Sequence, residues 1–362
     1  MIDLFEDLAR AVDQHLDRLG GAQAELPEAA ALAISESSLL GALRPFEVLR
    51  WAISADLPPQ EADNEYGEPT FTMIRTERYR IELIFWVDGA ARVHEHVAYG
   101  VFHPLSGRRL HIRYLLDESE ARSAGTVRCK LDTAGVELVG PGDTRSIFPG
   151  RRMIHELFFL ERPSVTLSVR GLPVEPPPRY AFANGVLAFD LAHPRVDMRR
   201  RAAAFALLAR LQPPERLEVA EEWLRVADML SARMLLSTLE GSIPLPAKEH
   251  LLGLVRNKHG PWLDEVMAAE AAESDRDALE SFAFSLDDPT LRLVPGLIWS
   301  GANAEESLAA ARKAVDVPHE DARAWLVSAT ERAMAARSLQ GVLTTVDPIY
   351  GKLSRFLKLL SK

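Results

Sequence analysis

Over the opening part of the chain, apolar residues recur every three or four positions. LFEDLARAVDQHLDRL and, after a Gly/Ala-rich break, PFEVLRWAI each carry the stripe of an amphipathic helix, so residues 1–66 read as a helical region. DLPPQEADNEYGEP then brings proline, glycine and acids together, the composition of a linker or surface loop. From about residue 68 the period changes to two. TFTMIRTERYRIELIFWV, ARVHEHVAYGVF, RRLHIRYLL, VRCKLDTAGVELV, SVTLSVRGL and YAFANGVLAFDL are short, rich in β-branched and aromatic residues, and punctuated by DGA, LSG and GPGD. Many short strands at this spacing predict an antiparallel sandwich or barrel over residues 67–192. Beyond 193 the helical period returns and persists to 362, from MRRRAAAFALLARL to EDARAWLVSATERAMAA, with proline and glycine breaks but no constant repeat. The pattern predicts an α+β chain in three regions, 1–66, 67–192 and 193–362, with the β-structure in the middle and a helical bundle at the end.

Composition narrows the class. At 362 residues the chain exceeds what one core usually organises, and 47% apolar with 26% charged residues is ordinary for a globular protein. No apolar run approaches a membrane span, and the acidic, amphipathic N-terminus is not a secretory signal, so a cytoplasmic location is expected. The single cysteine, Cys129, excludes an internal disulfide and fits a reducing compartment. A net charge of −10 without a basic stripe argues against nucleic acid as a partner; Arg199–Arg201 read as a solvated helix face.

The candidate chemistry lies among the strands. In GAARVHEH, His94 and His96 stand one residue apart on a strand, so both imidazoles point to one face. Neutral imidazole is the common ligand of first-row transition metals. Downstream, Gly142-Asp143 and then FPGRRMIH place His155 after a Pro-Gly turn, at the entry to HELFFLE. Together these segments resemble the two motifs of the cupin superfamily: a Gly, HxH, a Glu and a closing Gly at residues 89–107, then GD, PxG and a His at 142–155. The resemblance implies a jelly-roll barrel with a divalent metal on His94, His96 and His155.

One departure refines the comparison. The family's Glu would fall at about Gly100 or Val101, and neither can ligate through a side chain. Glu95 and His103 alternate to the opposite face from His94 and His96. A three-histidine set without a carboxylate is similar to the thiol dioxygenases, the cysteine dioxygenase family of small cupins, in which a thiol substrate chelates ferrous iron before O2 adds. That resemblance implies Fe2+ as cofactor, with Zn2+ or another divalent ion as the alternative, and a small thiol or amino-acid-like substrate. It also offers Arg75, and after it Arg80, as a carboxylate anchor. Where the family carries a Ser-His-Tyr relay, this chain has Thr166, Ser168 and Arg170, and Tyr99 and His111 are candidates for the pocket wall. Two further functions suit the same pattern: a metal- or ligand-binding cupin without redox turnover, acting as sensor or scaffold, and a metal-dependent isomerase or lyase. The helical flanks are expected to cap the barrel, form a homo-oligomer interface or bind a carrier or peptide.

Overall fold

The computed structural model describes residues 2–38, 43–54, 57–60, 68–87, 90–123, 126–172, 178–190, 195–211, 213, 215–316, 318–339 and 347–360. Gly89, which opens the first motif, and the region boundaries at 66, 67 and 192 lie outside these residues. Helices α1 (Ile2–Arg18), α2 (Leu26–Glu36) and α3 (Pro45–Ser54) come first. The strands follow: β1 (Thr70–Arg75), β2 (Tyr79–Trp86), β3 (Ala90–Glu95), β4 (Gly100–Ser106), β5 (Arg109–Ser123), β6 (Thr126–Val139), β7 (Arg145–Ile147), β8 (Ile154–Phe159), β9 (Ser164–Gly171), β10 (Pro178–Phe182) and β11 (Gly185–Asp190). Helices return as α4 (Arg195–Leu211), α5 (Arg216–Val226), α6 (Met229–Leu239), α7 (Leu245–His259), α8 (Trp262–Phe284), α9 (Leu293–Ser300), α10 (Ala304–Val315), α11 (His319–Leu339) and α12 (Pro348–Leu360). The strands pair antiparallel into a nearly closed, barrel-like arrangement between helical flanks, an α+β fold consistent with a cupin jelly roll. No helix among the described residues is long and apolar enough to cross a membrane.

The chain divides into two compact units. The smaller comprises residues 115–132 and 176–274. In it β11 pairs with β10 and with the start of β6, while Leu187, Leu224, Leu235, Leu251, Val255 and Trp262 share one core. The larger comprises residues 1–114, 133–175 and 275–362 and contains all three motif histidines.

Within the larger unit one sheet runs β1-β2-β9-β4-β7, and β3, β8 and the first half of β5 pair side by side in another. The period-two pattern accounts for both faces of each. On β2 and β9, Tyr79, Ile81, Leu83, Phe85, Val165, Leu167 and Val169 share a core with Phe5, Leu8, Val12 and Leu16 of α1 and Leu26, Ala29 and Ala33 of α2. The intervening Ile84, Trp86, Thr166, Ser168 and Arg170 turn the other way and line the barrel interior. On β8, Phe158 stacks on Phe284 and packs at a tilt against Trp299 of the C-terminal helices, and buried Glu156 takes bonds from Tyr114 and Arg276. Its neighbours His155 and Leu157 face inward. Both β8 and β9 are buried over their whole length although each carries polar residues, because protein covers both of their faces.

Candidate metal centre

His94 on β3 and His155 on β8 are directly opposed in the antiparallel ladder, so their side chains share a face at the closest cross-strand spacing. A shift of register between Ala91 and His94 lets both of these residues face inward although they stand three apart. His96 follows the end of β3. Its carbonyl accepts the Gly150 N–H at 3.0 Å, and it bridges Pro149. Gly150 takes a left-handed φ of 64°, which a side chain would strain, so the Pro-Gly turn serves to clamp the His96 backbone beside the strand that carries His155.

Three Nε2 atoms converge. His96 Nε2 lies 2.7 Å from His155 Nε2, which lies 3.1 Å from His94 Nε2. His94 Nδ1 donates to the Arg92 carbonyl at 2.7 Å, which fixes the tautomer and leaves the Nε2 lone pair turned toward the other two rings. Burial, and then the neighbouring His94, push His96 and His155 well below the ordinary histidine range, so both are neutral at pH 7. His155 Nδ1 is buried without a hydrogen-bond partner, and Phe102 and His111 hold its ring by packing at centroid distances of 6.0 and 5.0 Å. These residues fit a divalent ion. Two imidazole nitrogens each about 2.1 Å from one ion, at a right angle, lie about 3.0 Å apart. The observed separations of 2.7 and 3.1 Å lie close to that value.

No carboxylate joins the three histidines among the described residues. The positions where a fourth ligand would stand show why. A Cβ on Gly100 would lie 2.1 Å from the Val169 carbonyl oxygen, so β9 backbone fills the space a glutamate needs. Val101 is fully buried in the core shared with α1 and α2. His103 is buried at a 2.8 Å contact with Thr144 Oγ1, and Asp143 bonds to the Gly140 N–H and Lys313.

The trio opens on a cavity of about 40 Å³, walled by apolar Ile84, Ala91, Phe102, Ile147 and Leu157, by Trp86, and by polar Thr166, Ser168 and Arg170. Of the other candidates, Thr166 is brought to this wall. Arg75 is exposed at the end of β1, paired in register with Arg80, and Tyr99 packs on the outer core with its ring facing Phe148 at 6.5 Å; neither lines the cavity. The guanidinium at the wall is Arg170, bound to fully buried Glu82, whose other oxygen meets Arg80 Nε at 3.1 Å. Further out, His111 Nδ1 contacts Glu137 at 3.0 Å, and Arg145 holds that carboxylate through two nitrogens. Sequence reasoning missed Arg109 and Glu82, since alternation with Leu110 and Ile81 gives both the signature of a solvated face.

No family model matches the chain, and no curated protein sequence does. Among solved structures the chain is similar to a hydroquinone 1,2-dioxygenase, PnpCD, determined with Cd2+ and 4-hydroxybenzonitrile: 14% identity and a TM-score of 0.22, over 28% of this chain and 63% of that one. It is also similar to the DMSP lyase DddQ from Ruegeria pomeroyi DSS-3, with 14% identity and a TM-score of 0.25, over 46% of this chain and 93% of that one. Likeness at this level assigns no activity. The class is defined by the molecule itself: its barrel and interior three-histidine cluster fit a cupin with a site able to hold a divalent metal.

Proposed function

We propose that the protein is a cupin-type mononuclear non-haem iron oxygenase that holds Fe2+ on His94, His96 and His155 and acts, with O2, on a small thiol or amino-acid-like substrate. The observation that supports this most directly is the convergence of three imidazole Nε2 atoms on one interior point, with no carboxylate joining them among the described residues. Bound ferrous iron supplies a redox-active Lewis acid with coordination positions left for substrate and O2.

The chain supplies the rest. Three uncharged ligands leave the ion its full positive charge, which favours an anionic partner. Apolar Ile84, Phe102, Ile147 and Leu157 and polar Thr166, Ser168 and Arg170 line the same cavity, so a bound molecule meets both apolar contacts and polar groups there. A cavity of about 40 Å³ limits the reacting portion to a few atoms.

Elemental analysis of freshly purified protein, coupled to an oxygen electrode and a panel of cysteine, cysteamine and 3-mercaptopropionate, tests the reading. About one iron per chain and thiol-dependent O2 uptake are expected. His155→Ala should lower metal content at least about tenfold, since even weaker support of a ligand costs that much. Unchanged metal content in this variant would show the ligand assignment to be wrong, and stoichiometric metal with no O2 uptake across the panel would remove the oxygenase.

A further inference from the structure

Arg109 is the largest fully buried side chain among the described residues. The other buried arginine among the described residues of the larger unit, Arg170, is matched by buried Glu82, and half-buried Arg276 by buried Glu156. Among the described residues no carboxylate pairs with Arg109. Its Nη1 donates to Thr166 Oγ1 and its Nη2 to Ser164 Oγ at 2.7 Å, its Nε is unpartnered, and Phe159 lies beneath the guanidinium at 5.0 Å. Burial lowers its pKa to about 9, which still leaves it charged at neutral pH. A buried cation without a counter-charge is costly, and a fold that keeps one has left the matching anion to be supplied by something else.

Thr166 connects this charge to the cavity. Its Oγ1 accepts from Arg109 Nη1 and also from Trp86 Nε1, at 3.2 Å. Guanidinium and indole nitrogens only donate, so both lone pairs of the hydroxyl are engaged and its hydrogen must point in a third direction. No acceptor among the described residues takes that hydrogen, and Thr166 lines the cavity beside the three histidines. We propose that Thr166 is an oriented hydrogen-bond donor into the cavity, that Arg109 is the positioning residue behind it, and that the pair selects a substrate bearing a carboxylate. The inference rests on reading this cavity as the substrate site. It differs from the expectation placed on Arg75, because recognition passes through a hydroxyl polarised by a buried charge.

The test is calorimetric titration of the full chain as purified, its metal content measured on the same sample, with acetate and its neutral isostere acetamide. Wild type is expected to prefer acetate by about tenfold, the scale of one charge-assisted hydrogen bond. Thr166→Val should abolish that preference and Thr166→Ser should keep it. Arg109→Met should lower it as far as Thr166→Val does, and Arg109→Lys should hold it within about threefold. Since valine strands two buried donors, Trp86→Phe provides a milder variant: it frees one lone pair, lets the hydroxyl rotate, and should reduce the preference about threefold. No preference in wild type, or an intact one in folded Thr166→Val, overturns the proposal. Should that variant not fold, an unchanged preference in Trp86→Phe overturns it. The metal assay is a separate readout: a preference that depends on Thr166 in protein lacking iron sustains the inference while removing the oxygenase, and iron with a Thr166-independent preference does the reverse.

Discussion

Gly100→Ala is the most severe small change the structure identifies near the site. Gly100 opens β4 opposite Arg170 of β9, and a methyl group there would meet the Val169 oxygen at 2.1 Å, Arg170 Cα at 3.0 Å and the Val169 carbonyl carbon at 3.1 Å. All three are backbone atoms, so no rotamer relieves the contact; the strands must separate by about an ångström to reach even a tight contact. A ladder bond of about 2.9 Å stretched by that amount is no longer a hydrogen bond. Losing the two bonds nearest Gly100, at about 1 kcal/mol each, with some of the packing they hold, gives a destabilisation of about 3 kcal/mol. For a unit of this size that corresponds to a fall in Tm of about 6–12 °C. Calorimetry of the two proteins at equal concentration measures it. The same reasoning predicts that metal content survives in protein kept cold, because His94 and His155 are held by the β3–β8 pair in the other sheet. A Tm within about 2 °C of wild type would show that β9 does not approach Gly100 as described. Gly100→Glu would then be worth making as a fourth ligand; on the present geometry it unfolds the strand instead of completing a site.

Two further consequences concern the charges around the barrel. Glu82→Gln removes the carboxylate that Arg170 and Arg80 share in the interior, and should cost about 3–5 kcal/mol in urea unfolding, as breaking a buried pair generally does; an unchanged midpoint would mean water already reaches Arg170. Burial by itself would raise the Glu137 carboxyl, but hydrogen bonds from His111 and Arg145 and the Arg145 charge outweigh it and hold the group far below the usual carboxylate range. A depressed folded pKa gives stability that is present above the unfolded value, about 4.3, and is lost as pH falls toward the folded one. The Tm gap between wild type and Glu137→Gln should therefore be open at pH 6 and narrow steadily below pH 4; a gap independent of pH would detach Glu137 from that ionic role.

The change of hydrophobic period locates the sheets well. Alternation begins near residue 68 and stops near 191, and the strands run from Thr70 to Asp190 because a strand buried on one face cannot hide its period. His94 and His96 were legible as a pair for the same reason. His155 was legible only through the turn before it, since nothing in a gap of 59 residues says that Ile154–Phe159 pairs with Ala90–Glu95. The cavity wall was legible in part: Thr166, Ser168 and Arg170 were offered by their place on one strand, whereas the buried charges behind them were not. In RRLHIRYLL the apolar set is Leu110, Ile112 and Tyr114, which gives Arg109 and Arg113 the signature of a solvent face, with His111 beside them offered only as a pocket residue. Arg109, like His111, is instead almost wholly buried, because β5 has protein on both sides. Alternation reports which residues share a face; it is silent on whether the polar face meets water or a cavity.

That silence bears directly on how the site works. β2, β5 and β9 each give their apolar positions to a helix-covered core and their polar or mixed positions to the interior, so the residues available to a ligand are those a surface strand would expose to water. Glu82, Arg170, Arg109 and Thr166 are held there by one another, since each desolvated group needs a partner to remain. In the histidine trio, His155 Nε2 lies 2.7 and 3.1 Å from the Nε2 atoms of His96 and His94, with no carboxylate joining them among the described residues. A divalent cation would take the lone pairs of all three rings and add positive charge to an interior whose buried Arg109 has no carboxylate partner among the described residues. Both features call for the same kind of occupant, a metal ion with a small anion bound next to it.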